Sequence, residues 1–128
     1  MSGHIEFRGH RITVELEYAV EPQHFTPIPK LRYRLTDNPI QLLPDSLRIT
    51  VKVSKYPGYP AEVTDLVADL RGMRVLTSGK PGSQQLHNTY YVRGMLMTPE
   101  AQIPQWVLDY ANRALDAVEE KVTDLKLD

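Results

Sequence analysis

Apolar and polar residues alternate with a period of two through IEFRGHRITVELEYAV, residues 5–20, with one break at Gly9-His10. A two-residue turn with glycine first suits that break, so the stretch predicts an N-terminal β-hairpin. The implied register sets Phe7 opposite Ile12 and Ile5 opposite Val14. One face then carries Ile5, Phe7, Ile12, Val14, Leu16, Tyr18 and Val20, and the other Glu6, Arg8, Arg11, Thr13, Glu15 and Glu17. The same alternation returns in LRYRL (31–35) and LRITVKVS (47–54), which predict two further strands. Three prolines in EPQHFTPIPK (21–30) and the run TDNPIQLLPD (36–45) predict irregular connections.

Downstream the period changes. YPGY (56–59) fits a type II turn with Pro57 and Gly58 at its centre, and Pro60 then suits the first turn of a helix. AEVTDLVADLRG (61–72) places Val63, Leu66, Val67 and Leu70 on one helical face, with Gly72 as a C-terminal cap. MRVLTS and LHNTYYVRGML read as strands on either side of the turn-like TSGKPGSQQ (77–85). The final segment predicts a short turn near Pro99 and then a helix from about 104 to 125, because proline is tolerated only at a helix start. The expected architecture is a single α+β domain spanning residues 1–128. It has a mainly antiparallel sheet of about six strands, with two helices, the longer one C-terminal, packed on one face.

Composition supports a packed core: the 128 residues are 41% hydrophobic and 24% charged. No apolar run approaches the roughly 18 residues that would span a membrane, and MSGHIEFRGHR is too polar for a signal peptide. With no cysteine there is no disulfide or thiolate chemistry, and a cytoplasmic protein is the expectation. The net charge of −1 divides unevenly, +3 over residues 1–98 and −4 over residues 99–128.

Catalytic and metal chemistry find little footing. The lysine of TSGKPGSQQ precedes Pro81-Gly82-Ser83 and no helix pattern follows, so this is a turn and not a phosphate-cradling loop. His10 falls in the hairpin turn while His4 lies at the open end opposite Glu15, too far apart to share an ion. His24 and His87 have no ligand partner in sequence. Glu62, Asp65 and Asp69 would form a solvated stripe on the first helix, and no serine sits on a nucleophile elbow. No metal, cofactor or catalytic residue is expected. An enzyme would need a site assembled from distant parts of the chain.

Binding is better supported. On the C-terminal helix Val107, Ala111, Ala114, Val118 and Leu125 centre an apolar arc. It widens through Leu108, Leu115 and Val122 on one flank and Trp106, Tyr110 and Ala117 on the other. That is broader than the ~100° stripe one sheet requires, so either the helix lies deep in a groove of its own domain or one flank is an interface with a partner or a symmetry mate. Tyr56 and Tyr59 would present aromatic area on a rigid turn. The leading expectation is a protein-binding module, homodimeric, using Trp106, Leu108, Tyr110, Leu115, Tyr56 and Tyr59. The alternative is nucleic-acid binding by a basic strand face of Arg32, Arg34, Arg48 and Lys52.

Overall fold

Strand β1 (Ser2–Arg8) and strand β2 (Arg11–Ala19) form the N-terminal hairpin in the register the alternation predicts, with Phe7 opposite Ile12, Ile5 opposite Val14 and His4 opposite Glu15. Gly9 has φ +59°, as a glycine-led two-residue turn requires. These features come from a computed structural model that describes residues 2–20, 28–29, 41–76 and 81–124. The predicted strand 31–35, with Arg32 and Arg34, lies outside those residues.

The sheet continues through β4 (Gln41–Ser54), β5 (Glu62–Val75) and β6 (Pro81–Arg93) in the order β1-β2-β4-β5-β6, every neighbour antiparallel. The two-residue β3 (Ile28–Pro29) pairs with the start of β4. Residues 41–45, expected as loop, are the first part of β4. MRV closes β5 and does not form a strand of its own, while Pro81–Gln85, expected in a turn, open β6. Among the described residues there are five long strands and one short one, with boundaries that differ from those expected.

The larger correction is at residues 61–72, expected as the first of two helices, where Glu62 onward is strand β5. The apolar spacing that imitates a helix has a specific origin. Val53 pairs with Val63 and Lys52 with Asp65, leaving Thr64 as an extra residue in β5. A bulge of this kind shifts the side-chain parity, so Val63 and Leu66, three apart, both face the core. The Thr64 hydroxyl donates to the Lys52 carbonyl across the bulge, at 3.2 Å. Beyond it the strand alternates regularly, with Leu66, Ala68, Leu70 and Gly72 buried. Glu62, Asp65 and Asp69 accordingly lie along a strand.

Gly72 is no helix cap. It sits opposite Pro44, where a second bulge displaces Asp45 and lets the Asp45 carbonyl accept a hydrogen bond from the Val20 amide. A Cβ at Gly72 would meet the Leu43 carbonyl oxygen at 2.0 Å. Only glycine lets the two backbones approach this closely.

One α-helix is present among the described residues, α1 (Gln105–Asp124), preceded by a single 3-10 turn at Glu100–Gln102. Both features fall where Pro99 and Pro104 predict them. The helix lies over β4 and β5. Val107, Ala111, Ala114 and Val118 are its buried line, and they meet Leu47, Ile49, Val51, Leu66 and Leu70 of the sheet in one core. The opposite face of the sheet is left uncovered by α1. No helix among the described residues is long and apolar enough to cross a membrane.

Candidate interaction rim

Three connections come together at one end of the sheet. The β1–β2 turn carries His10, the β4–β5 connection carries Tyr56 and Tyr59, and β6 runs out into residues 94–99 beside the start of β5. Turn chemistry fixes the middle one: Gly58 has φ +80° and the Tyr59 amide donates to the Tyr56 carbonyl at 3.1 Å, the type II geometry that YPGY predicts. Pro60 then leads into β5 and not into a helix. The first two connections are tied together. The Lys55 amide donates to the His10 carbonyl at 2.8 Å, and the His10 and Tyr56 rings stack with centroids 4.3 Å apart.

The third connection was not singled out from sequence. GMLM reads there as the tail of a strand, yet Met95, Leu96 and Met97 are 102%, 76% and 65% exposed. Two hydrogen bonds clamp the base of this loop: the Tyr91 amide donates to Thr98 Oγ1 at 2.8 Å, and the Thr98 amide to the Tyr91 carbonyl at 2.9 Å. At the turn itself Gly94 has φ +143°, and a Cβ there would approach Asp65 Oδ1 at 2.7 Å. Met95, Leu96 and Met97 thus leave the end of β6 on a fixed base. A glycine between a strand and consecutive apolar residues was the available signal.

Phe7 completes the rim. Its register places it on the core side opposite Ile12, but it sits near the end of the edge strand and remains half-exposed. From β1 to β6 the rim crosses four strand spacings, roughly 19 Å at about 4.8 Å each. Exposed Arg8, Arg11, Lys52 and Arg93 fringe it, against Glu6 and Glu62. Arg8 already pairs with Glu6 at 3.0 Å.

The other proposed contact residues lie elsewhere. Tyr110 is buried and packs against Tyr18 of β2, centroids 5.1 Å apart, with Trp106 edge-on at 6.2 Å and the Arg113 guanidinium 5.0 Å from its ring. Burial raises the Tyr18 phenol above its ordinary pKa; nearby Arg113 opposes the shift and Tyr110 adds to it. Trp106 and Leu108 are half-buried against the core. Leu115 is half-buried on the same flank as Leu108. Most of the wide arc therefore serves the chain's own core.

Of the basic quartet, Arg48 and Lys52 do share the outer face of the sheet, the one opposite α1. Arg48 lies between Glu17, 3.9 Å away, and its cross-strand partner Asp69, while Lys52 faces Asp65. Asp69 is also paired with Arg71 at 3.4 Å. Each cation thus has a carboxylate opposite, and the local field is close to balanced. Among the described residues no group of three or more His, Asp or Glu is placed to hold a metal ion. His87 is exposed on β6 opposite Arg71, and His24 lies outside the described residues.

No family model matches the chain, nor does any curated protein or solved structure.

Proposed function

We propose that the protein is a binding module that engages another protein through the rim formed by Phe7, Tyr56, Tyr59 and Met95–Met97. The carrying observation is the loop at 95–97, which holds three consecutive large apolar side chains in water on a hydrogen-bonded base. Burying such a side chain stabilises by about 1.5–3 kcal/mol, so a monomer forgoes several kcal/mol that a partner surface recovers. Methionine suits this role because its flexible, polarizable thioether adapts to a partner's shape. The aromatic turn adds anchors held in place by the type II geometry and by the His10 stack. The basic fringe favours a partner whose apolar segment has acidic flanks.

The test is a triple substitution, Met95→Ser, Leu96→Ser and Met97→Ser, in a protein used to capture binding partners from its native cells. The side chains are exposed, so unfolding stability stays within about 0.5 kcal/mol of the parent. The parent retains a discrete partner and the variant loses it. Equal retention by both proteins would refute the rim.

A further inference from the structure

We propose that Met95 and Met97 form a paired oxidation site, through which peroxides convert the rim from an apolar to a polar surface and thiol-dependent sulfoxide reduction converts it back. The inference rests on the rim as the working surface and adds a means of regulating it. Two of the three consecutive apolar side chains that carry the rim are thioethers, and both stand in water, Met95 at 102% and Met97 at 65% exposure. The chain has four methionines and no cysteine, so all of its sulfur is thioether. Of the other two, Met73 is half-buried within β5 and Met1 lies outside the described residues. Oxidation of a side-chain sulfur follows its exposure, which directs a peroxide to the rim in preference to the sheet.

The step balances with no further reactant. A sulfur lone pair attacks one oxygen of hydrogen peroxide, the O–O bond breaks, an S–O bond forms and the other oxygen leaves as water. Sulfur gives up two electrons and the peroxide takes them. In the reverse direction two thiols of a reductant become a disulfide, and the sulfoxide oxygen leaves as water. Each sulfoxide is chiral, and its two epimers are reduced by separate enzymes. On the surface the change is decisive, because a polar acceptor replaces an apolar thioether. Covering it with an apolar partner would leave that acceptor desolvated and unpaired. The fold is spared, since the base of the loop is held by Tyr91 and Thr98 and neither of their two hydrogen bonds involves a methionine. Exposed side chains also let the added oxygen sit in water without displacing a neighbour. Leu96 between them has no sulfur to oxidise, so the two methionines alone set the state of the loop.

Peptide mapping of the full chain during exposure to hydrogen peroxide reads the site, and retention on a phenyl-substituted matrix reads the surface. Met95 and Met97 should each gain one oxygen well before Met73 does. The oxidised protein should elute earlier than the parent, shifted most of the way to the Met95→Ser, Leu96→Ser, Met97→Ser variant, with an unchanged circular dichroism spectrum. Sulfoxide reductases of both stereospecificities, supplied with dithiothreitol, should restore the parent's retention. Met95→Leu with Met97→Leu keeps the rim apolar and should elute with the parent, before and after peroxide. Met73 oxidised as fast as the rim pair, retention unmoved by peroxide or not restored by the reductases, or a leucine variant that shifts as the parent does would each overturn the proposal. Failure of the rim itself looks different. A parent that captures nothing beyond what the serine variant captures refutes the rim, and this proposal with it, before any peroxide is added.

Discussion

Gly72 shows how a single missing methyl group shapes the sheet. Its position opposite Pro44 brings the Leu43 carbonyl oxygen within 2.0 Å of where a Cβ would stand, and that atom belongs to backbone. Gly72→Ala should therefore cost about 3 kcal/mol, read as a lower urea midpoint, and an unchanged midpoint would contradict the close approach. Tyr90 gives a pH-dependent counterpart. It is fully buried on β6, where Asn88 Nδ2 donates to its hydroxyl at 3.3 Å. Burial raises its pKa, and the Asn88 hydrogen bond partly opposes that. Since the folded value lies above the unfolded one, its contribution is complete below about pH 10 and is lost as pH rises through the folded value. The unfolded chain releases the phenolic proton first. Between pH 10 and 11.5 the parent should lose stability relative to Tyr90→Phe, by at most about 1.4 kcal/mol per pH unit. Parallel urea curves for the two proteins across that range would contradict it.

At the scale of elements, β5 carries the main lesson. Because Thr64 is the surplus residue, deleting it leaves Val63 opposite Val53 and Glu62 opposite Ser54 in a regular ladder, so it should cost no more than about 1 kcal/mol. Thr64→Val keeps the extra residue and loses only the hydrogen bond to Lys52, so it should cost no more than about 1 kcal/mol. A loss of about 2–4 kcal/mol on deletion of Thr64, read by thermal unfolding, is what an unbulged strand would give by swapping Val63 and Glu62 between faces, and it would argue against the bulge. The same residue explains why part of the fold was legible in the sequence and part was not. The β1–β2 hairpin, the YPGY turn and the C-terminal helix are encoded locally, by glycine placement, proline placement and unbroken periodicity. β5 is not, because one inserted residue turns a spacing of two into a spacing of three and makes Val63, Leu66, Val67 and Leu70 look helical. Gly72 then reads as a cap, although its requirement comes from a strand distant in sequence. The site was half legible. Tyr56 and Tyr59 announce themselves on their turn, whereas Met95–Met97 are separated from the apolar end of β6 only by Arg93-Gly94, and the Tyr91–Thr98 clamp is what shows that they leave the sheet. Tyr110 looked available because the breadth of the helix's apolar arc does not show that Tyr18 occupies one flank.

Across the whole molecule, the helix covers one face of the sheet, charge pairs balance the other, and large apolar side chains gather at one end. This division of surfaces is what makes protein contact at the rim the favoured reading over nucleic-acid binding on the outer face. Binding through a rim fringed by Arg8, Arg11, Lys52 and Arg93 should weaken moderately with salt, while its apolar centre persists at high ionic strength. The central claim is tested most directly by a photo-activated cross-linking residue placed in turn at Leu96, at Lys52 on the outer face and at Glu120 on the exposed side of α1. Irradiated in the native cells, the Leu96 protein should give a discrete protein adduct that the other two do not. An adduct from position 52 or 120 with none from 96 would contradict the account and move the working surface away from the rim.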